Sequence, residues 1–442
     1  MAASVFDSAL FSRLFPTGEA GRLFTDSAEI RAMLLVEGAL ARAQGELGLI
    51  PEPSALYIHR AAMEVQIDPA ALAEATGQNG VCVPGLVAAF RAAVEAPEHA
   101  QYIHWGATSQ DIIDTGLMLR LRQLLEQCEG TLRAVLQSLA TLAEDHAETP
   151  MAARTWGQVA TPTSFGAHAA HWGAPLLELL EEMPPLRQGA LWVSLSGAAG
   201  TAGALGPQAP ELRAKLAEAL RLHDPARSWH SDRTPILRIA GWITRCCAAL
   251  GKMGEDLTLL AQSGIAEAAP GGGGASSTMP QKQNPVTPGA LTALARQAAS
   301  LSPALSGAAL HRQERDGAAW FTEWLTLPQL CLSGASALLL ARDLTRAITP
   351  DPARMAATLG ATGGLVHAEA LSFRLAQTMP RPDAQAAVKA LCIEAGHSGT
   401  PLADLAARDF PDADLTGIFD TRAQLGQAPT EARAFASTVR AL

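Results

Sequence analysis

Apolar residues recur in steps of three and four along five stretches of this chain, and each stretch is long. Leu117, Leu121, Leu124, Leu125, Cys128, Leu132, Val135, Leu139 and Leu142 form the first stripe, the spacing of one helix face. Thr161-Pro162 has the form of an N-cap followed by proline at the first helical position. It predicts a second helix through Leu176, Leu177, Leu179 and Leu180, with a kink at Pro175. Thr234-Pro235 repeats that start ahead of Ile236, Ile239, Ile243, Cys246, Leu250, Met253, Leu257 and Leu260. Thr287-Pro288 opens a fourth segment to about Leu310, and a fifth runs from about Trp320 to Ile348. Segments of roughly 25 to 30 residues span about 40 Å at the rise of an α-helix. Helices this long with an apolar stripe predict a bundle. Period-two alternation is weak, and only short pieces such as Ala190 to Leu195 could be strands.

Residues before about 110 predict shorter helices, including Ser27 to Leu47, which ends before Gly48 and Pro51. A cluster of Pro and Asp from Ile348 to Pro352 marks a second boundary. The expectation is an all-α chain of three helical domains: 1–110, a central long-helix bundle at 111–350, and a smaller domain at 351–442.

Composition supports helices. Ala and Leu dominate and aromatics make up 5% of 442 residues, a bias against sheets. A net charge of −10 argues against nucleic acid or an anionic membrane as the main partner. An acidic protein can still bind an acidic small molecule where its few basic groups converge. The six cysteines are scattered without a CxxC pair, and all read as reduced core residues. The N-terminus lacks the charged, then apolar, order of a signal peptide, and no run of about 18 apolar residues suggests a membrane span. The expected location is cytoplasmic.

One segment departs from this helical pattern. Gly271 to Pro285 reads GGGGASSTMPQKQNP. A phosphate loop would need lysine directly after glycine, whereas Lys282 follows Gln281, so that reading fails. Four glycines alone would suit a linker. The sequel Ser276, Ser277, Met279, Pro280, Lys282 and Asn284 runs into a helix start, whose free N–H groups and partial positive charge favour a carboxylate. Lys282 adds a cation and Asn284 adds amide donors.

ASSTMPQKQNP resembles the signature of the fumarase/aspartase superfamily, with Ala275 in place of its first glycine. Gln101 to Thr115, QYIHWGATSQDIIDT, and Ala153 to Gly166, ARTWGQVATPTSFG, are similar to the family's two other conserved segments. The resemblance covers nearly the whole chain. It implies a homotetramer whose central domains form a twenty-helix core, with each active site shared among three subunits.

It also implies proton transfer at a carbon α to a carboxylate, coupled to making or breaking a bond at the β-carbon. The charge on the intermediate must spread into that carboxylate, where a cation, an amide and helix-end N–H groups would stabilise it. By resemblance, Ser276 is the catalytic base, and Lys282 and Asn284 hold the substrate. Glycines would let the loop open and close. Thr108, Ser109 and Gln110 sit at a predicted helix start, where they could bind substrate or simply cap the helix. His104 is a substrate contact by resemblance and a structural histidine without it. Gln158 matches a polar contact of the family. Arg315, in HRQERDGAAW, would bind a carboxylate bidentately or pair with Glu314 or Asp316.

The departures from the family are informative. Adenylosuccinate and argininosuccinate lyases carry a histidine at the position of Trp156, taken as the acid for the leaving group. Adenylosuccinate lyases also carry a His-Asp pair upstream, and NGVCVPGLVAAFR, Asn79 to Arg91, contains neither residue. Loss of a general acid costs about 10²–10⁴-fold when an amine leaves. A carboxylate leaves without a proton, because its conjugate acid has a pKa of about 4. These features, with ARTW and the N-terminal segment, resemble the bacterial 3-carboxy-cis,cis-muconate cycloisomerases of the superfamily. That implies lactonisation of a triply anionic tricarboxylate in protocatechuate catabolism, with no metal and no cofactor. Alternatives are a β-elimination lyase of the adenylosuccinate or argininosuccinate type, a cycloisomerase for another substituted muconate, and a catalytically silent homologue.

Overall fold

The computed structural model describes residues 3–272, 274–275, 279 and 282–442, and the fold is all-α. Six helices carry the long apolar stripes or the residues of the site: α1 (Asp26–Glu46), α2 (Ser109–Asp145), α3 (Phe165–Glu181), α4 (Thr234–Leu260), α5 (Val286–Ala308) and α6 (Gly317–Ala347). The last five are the five apolar stripes. All but α3 begin and end within about a turn of the expected positions.

The start of α3 is a correction. Thr161 and Pro162 lie in a strand, not at a helix start. Pro150–Thr155 (β1) and Gln158–Ser164 (β2) form an antiparallel hairpin in which Pro162 lies opposite Ala152. A two-stranded ribbon has only edges, where proline's missing N–H is tolerated. The helix starts at Phe165, and Ser164 caps it by accepting the N–H of Ala167 at 3.1 Å. Trp156-Gly157 makes the turn with φ of 55° and 75°, the left-handed pair of a tight two-residue hairpin loop. Ala190 to Leu195 is not a strand; only an isolated bridge joins Trp192 to His223.

The chain forms two compact units. The first comprises Met1–Thr131, Leu179–Ala248 and Ala293–Leu339. Here α1 lies close against the helix Glu52–Glu64 because two glycines remove side chains from the crossing. A Cβ on Gly38 would stand 2.7 Å from Ala62 Cβ, and one on Gly45 2.3 Å from Ala55 Cβ. Trp229 and Trp242 are fully buried, and their indole N–H groups donate to the carbonyls of Val193 and Leu179, both at 2.8 Å. That satisfies the polar edge of each ring inside the core. All six cysteines of the chain are free; four are buried as expected of core residues, but Cys82 and Cys392 are only half-buried. Burial pushes the thiols of Cys128, Cys246, Cys247 and Cys331 upward, so they are inert.

The second unit comprises Leu132–Glu178, Ala249–Thr292 and Leu340–Leu442. Arg154 on β1 makes a bidentate pair with the fully buried Glu267, both contacts at 2.8 Å. The Glu267 carbonyl accepts the N–H of Asp351 at 2.8 Å, beside the short pairing of Ala268–Ala269 with Thr349–Pro350. A separate apolar cluster built on Leu371, Val388, Leu391, Leu402 and Ile418 holds together the helices Ala368–Leu375, Arg381–Ser398 and Leu402–Asp409. Gly274–Ala275 (β3) pairs antiparallel with Gln283–Asn284 (β4) just before α5.

By length and composition α6 could cross a membrane, against the expectation that no such run exists. Two thirds of its apolar window, 67%, is buried within the protein, as befits a core helix.

Candidate active site

The first turn of α2 is built around one carboxylate. Asp111 is fully buried and accepts five hydrogen bonds. Its Oδ1 takes the N–H of Ser196 at 2.8 Å, the Nε2–H of His230 at 2.8 Å and the hydroxyl of Ser194 at 3.2 Å. Its Oδ2 takes the N–H of Gly197 at 2.9 Å and of Thr108 at 3.1 Å. The Thr108 bond is a capping-box contact. Thr115 adds a reciprocal pair with the backbone of Ser194, at 2.8 and 3.1 Å. The Ser194–Gly197 loop is thereby fastened to the helix start.

Beneath this corner lies a buried ion cluster. Arg233 makes bidentate contacts with Asp114, at 2.7 and 3.0 Å, and with Glu323, at 2.7 and 2.9 Å. All three side chains are at most 2% exposed. Burial opposes the Arg233 cation, but Asp114 and Glu323 outweigh it and raise its pKa further. Burial pushes the Glu323 carboxyl upward, with Arg233 opposing and Asp114 adding to the rise.

Four expected residues meet at the corner. Thr108 and Ser109 are half-buried at the start of α2. Arg315 does not pair with Glu314 or Asp316. Asp316 instead takes Arg312 at 2.6 Å. The Arg315 Nε–H donates to Gln110 Oε1 at 2.8 Å, and one Nη donates to the Ala198 carbonyl at 3.2 Å and lies 3.4 Å from the Thr108 hydroxyl. No described carboxylate pairs with it. Gln110 is fully buried. Its Nε2 donates to the His230 carbonyl at 2.8 Å and to Asp114 at 3.2 Å. An expected substrate contact is therefore enclosed in protein, with both ends of its amide engaged.

His104 lies on the turn before α2, with φ of 65°. Its Nδ1 meets Oε1 of the buried Glu37 at 2.7 Å. Burial works against the imidazolium, but the hydrogen bond and charge of Glu37, helped by Asp111, leave its pKa raised. Gly106 follows at φ 75°, and a Cβ there would stand 2.4 Å from Leu205 Cδ2. Glycine at that position keeps the turn tight.

The remaining expected residues lie in the second unit. Trp156, at the hairpin tip, is 101% exposed. Gln158 is exposed opposite Thr155. Asn284 is half-buried on β4 opposite Gly274. Lys282 is exposed, and its backbone N–H donates to the Met279 carbonyl at 3.0 Å. Ser276 lies outside the described residues. Among the described residues, no group of three or more His, Cys, Asp or Glu side chains could hold a metal ion.

Sequence reasoning missed Asp111, Asp114, His230, Arg233, Glu323 and Glu37 as parts of this corner. Asp111 and Asp114 carried a faint signal: two acids one turn apart at a helix start, inside an otherwise apolar stripe. The others join the corner only through the fold.

Comparison with known proteins adds an independent line. A family profile described as Lyase matches residues 16–299. The 3-carboxy-cis,cis-muconate cycloisomerase of Pseudomonas aeruginosa is 38% identical over 430 residues, covering 95% of this chain and 94% of that protein. The nitrosuccinate lyase of Streptomyces davaonensis is 36% identical over 446 residues, covering 97% and 94%. The crystal structure of the 3-carboxy-cis,cis-muconate lactonizing enzyme from Pseudomonas putida superposes with a TM-score of 0.90 at 33% identity, over 98% of this chain and 99% of that one.

Proposed function

The chain belongs to the lyase family of the fumarase/aspartase superfamily, and from that premise we propose that it is a 3-carboxy-cis,cis-muconate cycloisomerase. The observation that carries the reading is end-to-end similarity to curated cycloisomerases, joined to an indole at position 156. Lactonisation adds a carboxylate oxygen of the substrate to its own double bond. The electron pair moves to the neighbouring carbon, α to a second carboxylate, and that carbon then takes a proton. A trianion plus one proton becomes a lactone dianion.

Ser276 delivers that proton in this direction and removes it in reverse. A serine hydroxyl is a poor acid and base, so nearby positive charge and exclusion of water must assist it. Lys282 and Asn284 stabilise the carboxylate into which charge flows. Arg315, with Thr108, Ser109 and the N–H groups at the start of α2, binds a second carboxylate. Gln158 and His104 are further contacts for a substrate with three anionic groups. In the reverse reaction the ring carboxylate leaves as a stable anion. Trp156 can therefore occupy the place of an acid, shaping the pocket without donating a proton.

The same reading includes a homotetramer with sites shared among subunits, a three-domain division near residues 110 and 350, and a cytoplasmic location in aromatic catabolism. Full exposure of Trp156 on one chain supports the shared site, since a large ring projecting from a tight turn suits insertion into a neighbour.

A second reading is favoured by the match to nitrosuccinate lyase. Nitrite, the group such an elimination would expel, is also a stable anion that needs no acid. A substrate panel separates the readings. The cycloisomerase reading expects ultraviolet loss of the conjugated diene of 3-carboxy-cis,cis-muconate. It is overturned if that diene persists while nitrosuccinate releases nitrite, or adenylosuccinate or argininosuccinate is split.

A further inference from the structure

We propose that Gln110 is a positioning residue that aims Arg315, and that it does not itself touch the substrate. This deepens the reading of Arg315 as a carboxylate-binding cation and rests on it. Gln110 is fully buried, and the chemistry of its neighbours fixes which way its amide points. The nitrogen end faces the His230 carbonyl at 2.8 Å and an Asp114 carboxylate oxygen at 3.2 Å, two groups that only accept. The oxygen end must then face the Nε–H of Arg315, at 2.8 Å. A flipped amide would set oxygen against two oxygens and nitrogen against a donor.

The base of this relay is rigid. Asp114 is clamped by two bonds from Arg233, and Arg233 by two contacts to Glu323, all deeply buried. Gln110 therefore has one orientation and one height. It transfers both to a long cationic side chain whose other hydrogen bonds among the described residues go to the Thr108 hydroxyl and the Ala198 carbonyl. The contacts to Gln110, Thr108 and Ala198 use the Nε and Nη2 atoms of the guanidinium, and Nη1 hydrogen-bonds to none of the described residues, which leaves that side for a ligand. A fork fixed in advance loses little freedom when a planar carboxylate docks on it. Such a contact exists in ground and transition states alike, so its loss should raise KM more than it lowers kcat.

The test is a double-mutant cycle of Gln110→Met, an unbranched chain of similar length, with Arg315→Met, measured with 3-carboxy-cis,cis-muconate. Gln110→Met alone should raise KM roughly ten- to a hundredfold, with a smaller change in kcat. In the Arg315→Met background it should add almost nothing. Equal losses in both backgrounds would mean that Gln110 acts by itself, and the proposal fails. Crystal structures of the substrate-free Gln110→Met protein give a readout that needs no turnover. The Arg315 guanidinium should leave Thr108 and Ala198, and an unmoved guanidinium overturns the proposal. Should Gln110→Met not fold, Gln110→Asn carries both measurements, because its shorter amide stays polar but cannot span from the His230 carbonyl and Asp114 to the Arg315 Nε–H. A wild-type protein inactive on the muconate would remove the proposed function, while the crystallographic readout still decides this inference.

Discussion

Asp111 is fully buried and receives five donors, whereas the Trp156 side chain is 101% exposed and makes no hydrogen bond among the described residues. Both belong to segments whose residue types suggested substrate contacts. The α2 corner is complete within one chain: caps, loop, ion cluster and cation already face one another. The hairpin tip is held by β1–β2 pairing, and its indole stands clear of the described residues. A preorganised seat for negative charge needs buried donors fixed before substrate arrives. In the proposed shared site, a ring that shapes a neighbouring subunit's pocket would need the opposite, projection from its own.

The sharpest break in this comparison comes from neither region. Ser276→Ala removes the proposed proton carrier, and kcat should fall by roughly 10²–10⁴-fold. Diene absorbance measures the loss, and sedimentation should show an unchanged assembly. Near-normal turnover would take the serine out of the mechanism. Next comes the base of the corner. Arg233→Met leaves Asp114 and Glu323 buried without their cation, at a cost of about 3–5 kcal/mol. Denaturant unfolding should register it, and an unchanged midpoint would show that the cluster anchors nothing. At the tip, Trp156→Ala should leave the folding stability of the chain within about 0.5 kcal/mol yet raise KM roughly tenfold or more. A stability loss without a kinetic one would place the indole in its own subunit's core.

The smallest effect is a pH dependence at His104. Burial lowers its pKa, but Glu37 and Asp111 outweigh burial and the opposing charge of Arg91, so the folded value lies above the ordinary one. The stability this contributes is fully present below the unfolded pKa of about 6.5 and fades as pH rises through the higher folded value. Glu37→Gln should flatten that slope in unfolding experiments across the histidine range. A slope that survives Glu37→Gln would belong to another group.

Much of the fold could be read from local pattern. Leu117 through Leu142, or Ile236 through Leu260, repeat often enough that only a helix explains them. The hairpin could not. Its strands are short, and Thr161-Pro162 imitates a helix start when the pairing of Pro162 with Ala152 is unseen. The site divides in the same way. Thr108, Ser109, Gln110 and Asp111 are legible as a helix entrance, because capping is local chemistry. The ion cluster is not, since Arg233 reaches Asp114 across 119 positions and Glu323 across 90. Arg315 was legible as a cation near a motif. That Asp316 pairs with Arg312 and not with it is visible only in the structure.

The central claim is that position 156 needs no proton donor because the departing group carries its own charge. Trp156→His tests it directly, with lactonisation followed by diene absorbance at neutral pH. The account predicts a rate equal to or below that of the wild type. A rate raised by an order of magnitude would show that the reaction lacked an acid all along, and would contradict it.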